Sequence, residues 1–178
     1  MKIAVLGAGA WGTSLAATAA LRHEVLLWAR SADQAAAIAR EGLNRRYLPE
    51  VALPDALAVG SDLQAALAHA ATGLLVIATP MAGLRATLSM LPSAQPAVWL
   101  CKGFEAGTGL LGHEVARALR PGAPCAVLSG PSFALEVARG QPTALVVARE
   151  SSALAEATSA ALHGDSLRIY TASDVVGV

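Results

Sequence analysis

The sequence predicts an α/β domain built on a doubly wound, mostly parallel sheet, and three observations lead to this prediction. Short apolar runs of strand length alternate along the chain with alanine-rich or amphipathic segments of helical length. These runs are continuously apolar, which is typical of strands that helices cover on both faces. A glycine-rich segment, Gly7 to Gly12, joins the first such run to the first helical segment.

The glycine-rich segment has the spacing G-x-G-x-x-G, between a predicted strand at Ile3 to Leu6 and an alanine-rich helix. In this context Gly7 allows a tight turn, Gly9 lets the backbone approach a pyrophosphate, and Gly12 lets the helix pack closely on the sheet. The free N–H groups and the dipole at the start of that helix face the anion. We therefore predict a Rossmann-like dinucleotide-binding fold.

The uncharged run from Ile3 to Leu21 follows Lys2 and also has features of a signal peptide or a short membrane span. Three glycines at the fingerprint spacing interrupt the run, and an amphipathic αβ pattern follows it. We therefore prefer the dinucleotide-binding interpretation, and we expect a cytoplasmic protein with no membrane span.

Length and composition restrict the other function classes. The 178 residues are 54% hydrophobic and 15% charged, which suffices for one sizeable core and argues against disorder. The 13 basic and 13 acidic residues cancel, so we expect no nucleic-acid partner. Cys101 and Cys125 lie in apolar runs, as expected of buried free thiols, and the scattered histidines indicate no metal site.

The same patterns place the remaining elements. The further strands are expected at 24–28, 56–59, 73–78, 97–101, 124–128, 143–148 and 167–171. The further helices are expected at 32–40, 63–69, after 80, 108–119, 134–139 and 151–162. Gly42 and Asp62 are expected to cap helices, and the last two strands form a C-terminal αβ extension of the sheet. Residues 43–54 show neither period, so we predict an ordered loop there, on the cofactor side.

Candidate contacts follow the predicted strands at their carboxyl ends, where open α/β sheets bind ligands. Arg30 replaces the acidic residue that binds the ribose hydroxyls of NAD, which favours a 2′-phosphate and hence NADPH; a solvated arginine is the alternative. Pro80 places a turn at the end of a buried strand. Arg85, on the next helix, could contact the cofactor, tie the helix to a loop, or lie exposed on the surface.

Lys102 is the strongest candidate for a substrate contact, because it ends a central strand and the glycine after it lets a ligand come close. A lysine that extends into solvent is the alternative. Ser132 follows another strand, in a Gly-Pro-Ser segment that we expect to open a helix with anion-binding N–H groups. A plain helix cap explains Ser132 equally well by local rules, but its place on the same rim favours function.

Six segments resemble the family of bacterial-type NAD(P)-dependent glycerol-3-phosphate dehydrogenases. They are GAGAWGTSLA at 7–16, LWAR at 27–30, NRRYLP at 44–49, CKGFE at 101–105, SGPSFALEVARGQPTA at 129–144 and YTASDVVGV at 170–178. The resemblance implies an N-terminal NAD(P)-binding domain over 1–178, with a helical substrate and catalytic domain beyond it. It also implies a homodimeric parent that reduces dihydroxyacetone phosphate to glycerol 3-phosphate for phospholipid synthesis.

The resemblance also assigns single residues. Together with the positions above, the candidate cofactor contacts are Gly7, Gly9, Ala10, Trp11, Gly12, Arg30, Tyr47, Pro80, Lys102 and Ala134. The candidate substrate contacts are Lys102, Gly130 and Ser132, and Lys102 is the candidate for orienting the substrate. The main catalytic lysine would follow Val178. We therefore expect this chain to bind NADP(H), or alternatively NAD(H), and to be inactive alone.

Two other functions stay open. Another two-domain NADP-dependent reductase or hydroxyacid dehydrogenase would share the fold, although the SGPSFA segment and Lys102-Gly103 argue against it. A non-catalytic nucleotide-sensing module would be complete as it stands. Asp174 argues against the module, because it lies where it would cap a further helix, so we expect the parent chain to continue.

Overall fold

The computed structural model describes residues 1–149 and 152–178, in which strands and helices alternate. The strands are β1 (Lys2–Leu6), β2 (Glu24–Trp28), β3 (Leu43–Asn44), β4 (Leu48–Ala52), β5 (Ala58–Gly60), β6 (Leu74–Ile77), β7 (Ala97–Trp99), β8 (Cys125–Ser129), β9 (Thr143–Ala148) and β10 (Leu167–Ala172). The helices are α1 (Ala10–Ala20), α2 (Ala32–Glu41), α3 (Leu63–His69), α4 (Met81–Ser89), α5 (Gly112–Leu119), α6 (Ala134–Ala138) and α7 (Ser152–Leu162).

Eight strands form one sheet in the order β10-β9-β8-β7-β6-β1-β2-β5. All neighbours are parallel except β8 and β9, which pair antiparallel. The chain adds strands outward from β1 in both directions, so the switch point lies between β1 and β6. The predicted doubly wound, mostly parallel sheet with a C-terminal extension is therefore confirmed, and its ligand crevice is expected at the carboxyl ends of these two strands.

Helices bury both faces of the sheet, and β1 shows why its sequence is continuously apolar. Ile3 and Val5 face a cluster that includes α1, α2 and α7, whereas Ala4 and Leu6 face a cluster that includes α3, α4 and α5. All four side chains are fully buried. Because burial of one large aliphatic side chain contributes about 1.5–3 kcal/mol, this strand anchors the glycine turn that follows it.

The predicted caps of two helices are confirmed. Gly42 ends α2 in the left-handed region, with φ 58°, and its N–H donates to the carbonyl of Ile38. Asp62 begins α3, where its Oδ1 accepts from the N–H groups of Gln64 at 2.8 Å and Ala65 at 3.2 Å. These contacts satisfy backbone groups that the helix ends leave open.

The structure corrects the prediction for residues 43–54, which are not an irregular loop. Strands β3 and β4 form a small antiparallel hairpin, with Leu43 opposite Ala52 and Asn44 opposite Leu48. The two-residue length of β3 and the irregular register after Leu43 explain why no strand period is visible. The hairpin lies outside the main sheet.

The helix predicted over 108–119 begins only at Gly112, so that prediction is wrong at its N-terminal end. Gly107 and Gly109 adopt φ values of 85° and 70°, which are incompatible with a right-handed helix. The predicted strands at 24–28 and 143–148 match at both ends, and the ends of the other predicted strands differ by at most two residues. Ser151, the predicted first residue of the last helix, lies outside the described residues.

The uncharged run near the N-terminus is divided between β1 and α1, and the latter has only 11 residues. Within residues 1–149 and 152–178, no helix combines the length and the apolar character that a bilayer crossing needs.

Candidate functional site

The glycine turn lies between β1 and α1, against the end of β6. A Cβ atom on Gly7, which has φ 124°, would lie 2.7 Å from the carbonyl oxygen of Ala78. A Cβ atom on Gly12 would lie 1.9 Å from the carbonyl oxygen of Gly7. By contrast, a Cβ atom on Gly9 would meet no atom within 4 Å. Packing therefore requires Gly7 and Gly12, whereas Gly9 borders open space in which a ligand can lie.

The N-terminus of α1 opens onto this space. Gly9 is the residue before the helix, with no side-chain cap, and no acidic side chain lies in the first turn. Ala10 and Trp11 are the first two helical residues and are half-buried. Their N–H groups precede the first intrahelical bond, from the N–H of Thr13 to the carbonyl of Gly9. Open N–H groups together with the helix dipole form a site suited to phosphate, so the structure fits a dinucleotide pyrophosphate here.

Arg30 follows β2 and is exposed, with no side-chain partner within the described part of the chain. Its neighbour Ser31 is committed to α2, because its Oγ accepts from the N–H of Gln34 at 3.3 Å. Asp33 lies in the first turn of α2. Arg30 is therefore the charged side chain that the end of β2 offers to a ligand.

The β3–β4 hairpin carries Tyr47 in its turn. The Tyr47 ring is 41% exposed, and the guanidinium carbon of Arg46 lies 5.2 Å from its centroid. The amide Nδ2 of Asn44, at the base of the hairpin, donates to the carbonyl of Ala8 in the glycine turn at 3.1 Å. The hairpin therefore lies beside the predicted cofactor site.

Lys102 follows β7 and reaches towards β8. Its side chain is exposed, and Nζ donates to the carbonyl oxygen of Gly130 at 2.8 Å. Gly130 packs against β9, where a Cβ atom would lie 2.7 Å from the carbonyl oxygen of Ala144. A cavity of about 270 Å³ at this edge is lined by Lys102, Cys101, His113, Ser129 and Val176, among others. The structure thus brings Lys102 and Gly130 together at the carboxyl edge of the sheet.

Ser132 does not cap a helix, so that alternative is wrong, whereas its predicted contact with a ligand stays a prediction. Helix α6 has five residues and begins at Ala134, after Phe133. Glu136 Oε2 accepts from the Phe133 N–H at 3.0 Å, so a carboxylate already occupies that end. The Oγ atom of Ser132 is buried and has no hydrogen-bond partner within the described residues.

The start of α6 packs directly on α1. Ser14 Oγ lies 2.7 Å from the carbonyl oxygen of Ala134 and 2.8 Å from that of Ala10. The single hydroxyl proton is therefore shared between the carbonyls of two residues that are predicted to contact the cofactor. Ser14 itself is fully buried. Arg139, just after α6, forms an ion pair with Glu50 of the hairpin. No local signal in the sequence marks Ser14, because only the tertiary fold shows what this helical serine contacts.

Arg85 connects helix α4 to the loop that follows β7, which is one of the three predicted alternatives. On α4, its Nε and Nη2 donate to the two carboxylate oxygens of Glu105, each at 2.7 Å. Thr108 Oγ1 adds a hydrogen bond to the same carboxylate at 2.6 Å. The bidentate pair fixes the loop that follows Lys102 against α4. The Arg85 guanidinium, aided by Thr108, lowers the pKa of Glu105 to about 2.

The lowered pKa of Glu105 predicts how the free energy of unfolding of this chain changes at acid pH. Because folding lowers this pKa from 4.5 to about 2, the carboxylate stabilises the folded chain fully above pH 4.5. Protonation removes that contribution as the pH falls from 4.5 to about 2. We expect Glu105→Gln to flatten the pH dependence of the unfolding midpoint in this window, measured by circular dichroism. An unchanged slope, with Asp55→Asn as the exposed control, would contradict the assignment.

Both cysteines are free, as predicted, and Cys125 is only partly buried. Cys101 donates to the carbonyl of Thr79 at 3.0 Å, and burial raises the pKa of its thiol to about 11. This thiol is therefore neutral near pH 7 and joins the ends of β6 and β7. Among the described residues, no group of three or more His, Cys, Asp or Glu side chains could hold a metal ion.

Known proteins resemble this chain in sequence and in structure. A family model described as NAD-dependent glycerol-3-phosphate dehydrogenase N-terminus matches residues 2–155. The glycerol-3-phosphate dehydrogenase (NAD(P)+) of Methylibium petroleiphilum is 61% identical over 181 residues, which cover 100% of this chain and 54% of that protein. The enzyme of the same name from Leptothrix cholodnii is 56% identical over 189 residues, which cover 100% of this chain and 56% of that protein.

Among solved structures, the glycerol-3-phosphate dehydrogenase from Coxiella burnetii is similar, with a TM-score of 0.89 and 34% sequence identity. The alignment covers 98% of this chain and 55% of that chain. The chain thus spans about half the length of the curated relatives it matches.

Proposed function

Because the chain belongs to the NAD-dependent glycerol-3-phosphate dehydrogenase N-terminus family, we propose that residues 1–178 form the NAD(P)H-binding domain of a glycerol-3-phosphate dehydrogenase. One observation carries the proposal. The open N-terminus of α1 meets free space at Gly9, next to the switch point of the sheet. A dinucleotide pyrophosphate has the charge and the size for this position.

The remaining candidate cofactor contacts lie along the carboxyl edge of the sheet, where an extended dinucleotide would lie. Ala10 and Trp11 would receive the pyrophosphate, and Arg30 would bind the adenosine 2′-phosphate of NADPH. Tyr47, Pro80 and Ala134 complete the proposed cofactor contacts, which lie on the hairpin, before α4 and at the start of α6. When bound, the reduced nicotinamide supplies a hydride.

At the substrate end, we assign Lys102, Gly130 and Ser132 to dihydroxyacetone phosphate or glycerol 3-phosphate. A carbonyl that accepts a hydride develops negative charge on its oxygen, and the Lys102 ammonium is the cation at this edge that can orient and stabilise it. The Lys102 bond to the Gly130 carbonyl already holds the ammonium there, at 2.8 Å. The buried hydroxyl of Ser132 has a free hydrogen-bonding capacity for a polar ligand.

The proposal assigns the proton donor to a second domain of the parent protein. Reduction of a carbonyl needs a general acid beside the developing alkoxide and cations for the substrate phosphate. The main catalytic lysine of this proposal lies beyond Val178, in a helical domain. We accordingly expect the 178-residue chain to bind cofactor without turnover. The proposal extends to a cytoplasmic, homodimeric parent that feeds phospholipid synthesis.

A titration with NADPH and NADH tests the proposal. The wild-type chain is expected to bind NADPH, with quenching of tryptophan fluorescence because Trp11 lies in the site. Arg30→Ala removes a charge-assisted hydrogen bond, so we expect NADPH affinity to fall roughly tenfold to a hundredfold, while NADH affinity stays within about twofold. The matched control is Arg168→Ala, an exposed arginine on β10 at the far end of the sheet. Binding of neither nucleotide by the wild-type chain would refute the proposal.

A further inference from the structure

Two side-chain amides hold the carbonyl oxygen of Ala8, in the middle of the glycine turn. Gln34 Nε2 from α2 donates to it at 2.9 Å, and Asn44 Nδ2 from β3 donates at 3.1 Å. Asn44 is only 1% exposed, and its Nδ2 also donates to Thr13 Oγ1 at 2.8 Å. Both amide protons of Asn44 are therefore hydrogen-bonded, one to the glycine turn and one to the first part of α1.

The held carbonyl determines the direction of the N–H group that follows it. Within the described residues all peptide bonds are trans, and in a trans peptide the C=O and the next N–H point in opposite directions. Because the Ala8 carbonyl faces Asn44 and Gln34, the Gly9 N–H faces away from them. A rotated peptide would turn a carbonyl oxygen to the other side, and its partial negative charge would repel an anion.

We propose that Asn44 is a positioning residue, which holds the Ala8–Gly9 peptide in the orientation that binds the pyrophosphate of the cofactor. This inference rests on the proposed function and adds a residue to it that touches no ligand itself. It also gives the β3–β4 hairpin a role, because β3 carries Asn44 to the turn. Gln34 shares the acceptor but is only half-buried, so Asn44 provides the larger part of the restraint.

The test compares a ligand that has a pyrophosphate with one that lacks it. Asn44→Ala in the 178-residue chain is titrated with NADPH and, by competition, with adenosine 2′-phosphate. We expect NADPH affinity to fall roughly tenfold, as for loss of one hydrogen bond that orients a binding group, while adenosine 2′-phosphate affinity changes by less than about twofold. A purely structural role of Asn44 would weaken both ligands alike.

Gln95→Ala is the matched control. Gln95 is a second buried amide that donates to a backbone carbonyl, that of Ala70 at 3.5 Å, and it lies before β7 at the opposite edge of the sheet. We expect this variant to lower the melting temperature without changing NADPH affinity. If Asn44→Ala does not fold, Gln34→Ala takes its place, with a smaller loss of NADPH affinity and none for adenosine 2′-phosphate.

The outcomes separate the inference from the proposed function. A folded Asn44→Ala chain that binds NADPH as tightly as the wild type, or loses both ligands equally, would overturn the positioning role alone. A Gln34→Ala chain with unchanged NADPH affinity would do the same where it replaces the first variant. A wild-type chain that does not bind NADPH would overturn the proposed function instead.

Discussion

Replacing Gly12 by alanine is expected to destabilise the chain severely, by about 3 kcal/mol or more. The new Cβ atom would lie 1.9 Å from the carbonyl oxygen of Gly7 and 2.9 Å from the Cβ atom of Ala78. Neither contact can relax locally, because one is backbone of the turn and the next residue of α1, Thr13, is fully buried. The shift must therefore move α1 away from the sheet. Urea unfolding followed by circular dichroism measures the loss.

Gly60→Ala provides the matched control for this prediction. Gly60 lies in β5, and a Cβ atom there would meet only Leu26 Cδ1, at 3.8 Å, an ordinary contact distance. The same chemical change is therefore expected to alter the free energy of unfolding by less than about 1 kcal/mol. If the unfolding midpoints of the two variants coincided, the close packing of α1 on the glycine turn would be disproved.

The elements that the sequence predicts well are those whose signals are local and long enough to read. β1 is apolar at every buried position, and the G-x-G-x-x-G spacing that follows it is typical of a strand-to-helix turn, so both were predictable with their order. Gly42 and Asp62 act on backbone groups of their own helices, and they also follow from local rules. Once the strands are parallel, the shared edge of Arg30 and Lys102 follows from topology alone.

The elements that escaped prediction depend on contacts between distant residues or on competition within a few residues. The hairpin is too short for a period to appear, since β3 has two residues. Ser132 met the local rules for a cap, but α6 begins at Ala134, one residue later than that role requires. The residue before the helix is Phe133, whose N–H donates to Glu136. Asn44 and Ser14 show no signal by themselves. Their partners, Ala8 and Ala134, lie 36 and 120 residues away in the chain.

These differences divide the candidate site into two parts with different physical origins. In the proposed site, backbone geometry builds the pyrophosphate position, and neutral side chains such as Asn44 hold that geometry through hydrogen bonds to the turn. Side-chain charge enters at the two ends, where Arg30 and Lys102 are exposed at the ends of β2 and β7. Substitutions at the ends are therefore expected to change selectivity, whereas substitutions in the backbone part change affinity for every dinucleotide.

Gly9→Ala is expected to abolish most dinucleotide binding while leaving the fold intact. Gly9 has φ −79° and ψ −175°, an extended conformation that alanine adopts freely, and a Cβ atom there would meet no atom within 4 Å. The melting temperature should stay within about 2 °C of the wild-type value or rise slightly, since alanine restricts the unfolded chain. The added methyl group, however, occupies the space through which a pyrophosphate reaches the first N–H groups of α1.

A displaced pyrophosphate loses more than one charge-assisted hydrogen bond, so we expect the affinities for NADPH and NADH both to fall roughly a hundredfold or more. Isothermal titration calorimetry with each nucleotide, alongside thermal unfolding, measures the two effects on the same sample. Gly12→Ala damages binding only through the fold, whereas Gly9→Ala should damage binding alone. An unstable Gly9→Ala chain would show that the space at Gly9 is not open. A stable one that binds NADPH like the wild type would show that this space is not the pyrophosphate position.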